Sequence, residues 1–176
     1  MIHLTTNDWI ALGTCVGAVG TVGALFAALL QIGQERAIRH KNELDQQASD
    51  ISSWISFEDP SYSWVALQNN SASPVYRAVA SIVLMQGAGP RTGLDARPEH
   101  MKFLSVIPPG RSYVHVRGNF KGMGAHSAVE LAFVDRNSQS WVRSSDGILK
   151  QIKKEPAQHY GVHLPVNWEI PRDSTD

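Results

Sequence analysis

The stretch AVELAFVDRNSQSWVRSSDGILKQI, residues 128–152, reads as three short β-strands joined by two tight turns. Residues 128–134 are apolar except for Glu130, the turn formers of residues 135–138 follow, and residues 139–143 run back as the second arm of a hairpin. Asp146-Gly147 then turns the chain into residues 148–152. Phe133 and Trp141 are large enough to fill the space between two sheets.

Toward the N-terminus the same texture continues. Residues 101–107, the turn Pro108-Pro109-Gly110 and residues 112–117 form strand, turn and strand. Residues 75–85 alternate at first and then become almost wholly apolar, as a central strand does. Residues 64–68 make an earlier strand, followed by a turn over Asn69, Asn70, Ser71 and Ser73, with Pro74 starting the return. Glycine-rich loops fall at 87–98 and 118–124. This spacing of some seven short strands predicts a mainly β domain over residues 59–155, an antiparallel β-sandwich with a small barrel as the alternative. Strands do not alternate with helices, so a nucleotide-binding α/β fold is not expected.

Residues 32–58 read as a membrane-proximal helix, rich in Gln, Glu, Arg, Lys and Ala and free of proline. Leu30, Ala37, Leu44 and Ile51 repeat at seven, with Ala27, Gln34, Lys41, Ala48 and Ile55 as companion positions. One reading is a short parallel coiled coil. The other is a single helix whose Leu44, Ala48, Ile51 and Ile55 pack on its own β domain, and the clean apolar spacing of the final turns fits it.

Residues 9–30, WIALGTCVGAVGTVGALFAALL, contain 22 residues without a formal charge. At about 1.5 Å per residue they would span roughly 33 Å, enough for a hydrocarbon core of about 30 Å. A transmembrane anchor over residues 1–31 is therefore expected. No basic residue precedes the run, which argues against a secretory signal. Arg36, Arg39 and Lys41 follow it, so the positive-inside rule places the C-terminal domain in the cytoplasm. Gly13 and Gly17 form one small-residue row and Gly20 and Ala24 another, which would let two anchors pack as a homo-oligomer. Residues 156–176 are expected to dock as an extended tail.

The segments 67–79, Ile107-Pro108-Pro109-Gly110, Phe133-Val134-Asp135, Trp141-Val142-Arg143 and Gly147-Ile148-Leu149 resemble a type of small bacterial protein common in actinobacteria. The resemblance implies one N-terminal membrane helix, a C-terminal immunoglobulin-like β-sandwich and no catalytic residues.

Sixteen basic and sixteen acidic residues balance, so no long-range field draws the chain onto nucleic acid. Cys15 lies inside the apolar run, leaving no thiol for a disulfide, a thiolate metal site or a nucleophile in the β domain. His159 and His163 stand four apart, but Gly161 lies between them and Pro156 and Pro165 bracket them, so no metal site is expected. His126, Ser127 and Asp135 supply triad residue types without a nucleophile elbow. The 118–124 loop lacks the Gly-Lys-Ser/Thr ending of a phosphate loop. No cofactor is implied. The leading expectation is a membrane-tethered, non-enzymatic scaffold whose β domain meets a protein partner. The alternative is a sensor in which Arg111, Arg117, Lys121 and Arg143 hold a small anion such as a nucleotide second messenger.

Overall fold

Alternation of inward and outward side chains, interrupted by one bulge, builds the first of two antiparallel sheets. Its strands are β1 (Ile51–Glu58), β2 (Tyr62–Asn69), β5 (Gly110–Arg117) and β9 (Arg172–Asp173), in the order β1-β2-β5-β9. The second sheet holds β3 (Val75–Gln86), β4 (Met101–Ile107), β6 (His126–Val134), β7 (Ser140–Arg143) and β8 (Leu149–Ile152), in the order β4-β3-β6-β7-β8. These come from a computed structural model that describes residues 31, 46–59, 61–86, 88–118 and 124–173. The expected anchor, with Gly13, Gly17, Gly20 and Ala24, lies outside the described residues, as do most of the heptad positions and Lys121. Among the described residues no helix is long and apolar enough to cross a membrane.

The main core fills the space between the sheets. Val65 and Leu67 of β2 and Val114 and Val116 of β5 face Ala80 and Ile82 of β3 and Leu131 and Phe133 of β6. Burying a side chain such as Phe133 contributes on the order of 2–3 kcal/mol. A smaller cluster of Val79, Met101, Ala132, Val142 and Tyr160 covers the other face of the second sheet. That second layer explains why β3 is apolar on both faces. Its cover includes the short helix α1 (Pro156–His159) and the 88–97 loop, where the buried Gly93 N–H donates to the Glu130 carboxylate at 2.8 Å. A Cβ on Gly93 would come within 2.4 Å of the Tyr160 ring, so only glycine fits.

Two expectations are corrected. The helix predicted over 32–58 does not reach its end: residues 46–49 are helical, but Ile51–Glu58 is strand β1, and the compact β unit begins at Leu44 rather than 59. The reason is that a spacing of four is even. Ile51 and Ile55 therefore share a face in a strand as well as in a helix, and Ser52, Ser53, Trp54 and Phe57 favour the strand. Ala48, Ile51 and Ile55 do pack on the chain's own β domain. The tail is not extended throughout, since Pro156 opens α1 at a first-turn position where its missing N–H costs nothing.

The β6–β7 hairpin turns on Asp135. Buried to 1% exposure, its carboxylate accepts the N–H groups of Asn137 and Gln139, both at 2.8 Å, and the Trp141 indole N–H at 2.9 Å. Asp135→Ala would orphan the buried Trp141 N–H and two part-buried turn N–H groups, and we predict a loss of about 3 kcal/mol in urea unfolding, with a smaller loss for Asp135→Asn. A change below about 0.5 kcal/mol for the alanine variant would contradict this role.

Candidate functional site

The outward face of the first sheet follows from its register. One row across β1, β2 and β5 is Ser52, Gln68 and Arg111; the next is Trp54, Ala66 and Tyr113; the next is Phe57, Trp64 and His115; Tyr62 and Arg117 complete it. Arg172 of β9 lies beside Tyr113. Directly opposed residues in such rows approach to about 5 Å between Cβ atoms, so the face interleaves aromatic and basic side chains. Trp54 is 39% exposed, Tyr62 45% and Phe57 62%. The Arg111 guanidinium lies 5.4 Å from the centre of the Trp54 ring while its Nε donates to Gln68 at 3.0 Å. This stacks the guanidinium over the indole and leaves a cationic outer surface.

The same sheet carries an open edge. A strand edge exposes unpaired N–H and C=O groups and is normally guarded. In the second sheet β4 is bridged by Glu169, and β8 is short, with exposed Lys150 and then Lys153 and Lys154. At the far side of the first sheet β9 is two residues long. β1 is eight residues, ISSWISFE, with no lysine or proline, and no described residue pairs with its outer side. A bulge between Ile55 and Phe57 leaves residues 51–55 regular. Along this edge runs a groove of about 400 Å³, lined by Trp54, Ile55, Met85, Ala128, Arg143 and Ser144 among others.

Of the four basic residues proposed for an anion, the three that are described do not converge. Arg111 and Arg117 share a face but stand six positions apart, about 20 Å along the strand. Lys121 lies outside the described residues. Arg143 belongs to the other sheet, and its guanidinium is committed to the backbone: it donates to the carbonyls of Ala48 at 3.1 Å, Ser49 at 3.0 Å and Gly147 at 3.0 Å. These include the last carbonyls of the incoming helical turn, which have no partner within a regular helix. Burial lowers the Arg143 pKa from its ordinary value, the desolvation that this clamp imposes. Sequence reasoning missed Trp54, Tyr62, Tyr113 and His115 as members of a face. The signal was present as the period-two set Arg111, Tyr113, His115, Arg117.

The other candidate chemistry disperses too. β6 separates His126 and Ser127 from Asp135 by roughly 25 Å. α1 ends at His159, and Gly161 follows with φ of +69°, so His163 does not share a helical face with it. Burial first, then the nearby Glu130 charge, pushes the Tyr160 phenol pKa up, which makes it a packing group rather than an acid.

Arg143→Lys keeps the charge but cannot fork across three carbonyls. We predict a stability loss of about 1–3 kcal/mol and faster amide exchange near Asp50, and an unchanged exchange rate there would contradict the clamp. No protein family, no curated protein and no solved structure matches this chain.

Proposed function

We propose that this chain is a membrane-anchored, non-enzymatic docking module. Residues 9–30 span the bilayer, the β domain faces the cytoplasm, and the first sheet receives a protein partner along β1. The observation that carries the reading is the unguarded β1 edge beside exposed Trp54 and Phe57 and the Arg111–Trp54 pair. Trp, Tyr and Arg dominate the energetics of protein interfaces, and an open edge takes an added strand through backbone hydrogen bonds. The uncharged run and the basic residues after it support the anchor and its orientation. Gly13, Gly17, Gly20 and Ala24 support association of anchors, which would raise avidity for a partner with repeated sites.

The domain is further proposed to be immunoglobulin-like, in keeping with the actinobacterial type of small membrane protein that the sequence resembles. Taking β1 to β7 as strands A to G, one sheet is A-B-E and the other contains C-F-G, with the fourth strand moved beside C. Such sandwiches commonly serve as rigid supports for binding surfaces.

A photo-crosslinking amino acid placed at Phe57 in the intact chain, in its native membrane, is expected to give a discrete adduct with one protein. The same group at Lys150, on the second sheet, gives none. Trp54→Lys and Arg111→Glu reduce the adduct at Phe57 by about tenfold or more. Equal labelling from both positions, or labelling indifferent to both variants, would remove the reading.

A further inference from the structure

The C-terminal segment covers the side of the sandwich opposite β1, and it forms one wall of an open pocket in doing so. Glu169 N–H donates to the Phe103 carbonyl at 2.9 Å, and the Ser105 N–H donates to the Glu169 carbonyl at 2.8 Å. Three residues on, Arg172 pairs with Tyr113 of β5. The segment thus steps from an edge of one sheet to an edge of the other. Beneath the step lies a cavity of about 130 Å³, lined by Lys102, Tyr113, His115, Glu169, Ile170 and Arg172 among others. One water needs about 10–15 Å³ of such space, so a five-atom oxoanion fits.

The lining has an excess of donors. Lys102 and Arg172 bring two positive charges, and Tyr113 and His115 bring groups able to donate. The carboxylate on this wall is that of Glu169, which Lys102 engages at 2.5 Å. The His115 ring is held against Trp64, with centroids 3.5 Å apart, and its Nε2 is buried without a hydrogen-bond partner. A buried ring nitrogen left unsatisfied is costly, and native structures seldom retain one without a ligand or a solvent molecule to meet it.

We infer that this cavity is an oxoanion site that takes a phosphate ester group, with Lys102, Arg172, Tyr113 and His115 as its donors. It is a different site from the β1 edge and does not depend on the docking reading. The groups around His115 are Arg172 on β9, Lys102 on β4 with its partner Glu169, Tyr113 on β5, Trp64 on β2 and Asp59 in the β1–β2 turn. Burial first, and then the Arg172 and Lys102 charges, hold its pKa below the ordinary imidazole value, against the opposing pull of Asp59. A bound phosphate reverses the sign of the local field, so His115 takes up a proton as the ligand enters.

The test uses the intact chain in phosphatidylcholine nanodiscs, with the histidine rings observed by NMR during titration with inorganic phosphate and with glycerol 3-phosphate. The site predicts a saturable shift of the His115 ring and a rise in its titration midpoint. Lys102→Gln and Arg172→Gln weaken the response about tenfold while Lys150→Gln leaves it unchanged. Thermal unfolding of each variant, followed in parallel, keeps loss of binding distinct from loss of fold. A response to added phosphate identifies a soluble phosphate ester. A response on adding phosphatidic acid to the discs, without free phosphate, identifies a lipid headgroup. Absence of a saturable His115 response in both arms, or the same response in the Lys102 and Arg172 variants, overturns the inference.

Discussion

Sheet edges are the constraint on which this domain depends. Each edge of an open sandwich leaves alternate backbone N–H and C=O groups without partners, and those groups either meet water or recruit another strand. Here two of the edges are joined by one device: the segment around Glu169 lies along β4, and Arg172 then pairs with β5. A third is short and flanked by lysines. β1 alone, among the described strands, is both long and unprotected.

The start of β1 is anchored as firmly as its edge is open. Gln47, buried, donates to the carbonyls of Ser73 and Pro74 at 3.3 and 3.4 Å and accepts the Arg136 N–H at 3.1 Å. Asn70 donates to the Asp50 carbonyl at 3.0 Å, and Arg143 holds Ala48 and Ser49. The incoming chain is thereby stapled to three separate turns before the strand begins. A strand with one side paired to β2 and its start clamped is pre-organised, which reduces the ordering entropy of adding a partner strand. The buried carboxylates of Asp135 and Glu130 are hydrogen-bonded, whereas the His115 Nε2, like the Ser81 and Ser112 hydroxyls, is buried without a partner.

Much of the β architecture was legible in the sequence. The hairpin around Asp135, the continuous apolar run that became central β3 and the Pro108-Pro109-Gly110 turn were all visible from period and turn chemistry. Gly110, at φ of +104°, supplies the backbone that this turn needs. β1 was hidden because Ile51 and Ile55, four residues apart, satisfy a helical stripe and a strand face at once. β9 was hidden because two residues carry no periodicity. The site was harder to see. Basic residues are visible in a sequence, but whether a guanidinium meets solvent, a ring or a row of carbonyls is set by tertiary neighbours. Arg111 found Trp54 and Arg143 found Ala48 and Ser49, each through a contact distant in the chain.

The central claim is that β1 is an edge waiting for a strand, and single-amide hydrogen exchange over Ile51–Glu58 tests it most directly. The purified intact chain should show fast exchange at alternate β1 amides, those pointing away from β2, and these should become protected in membranes that retain the partner. Uniform slow exchange along β1 in the purified chain would mean that the edge is already closed, and the account would fail.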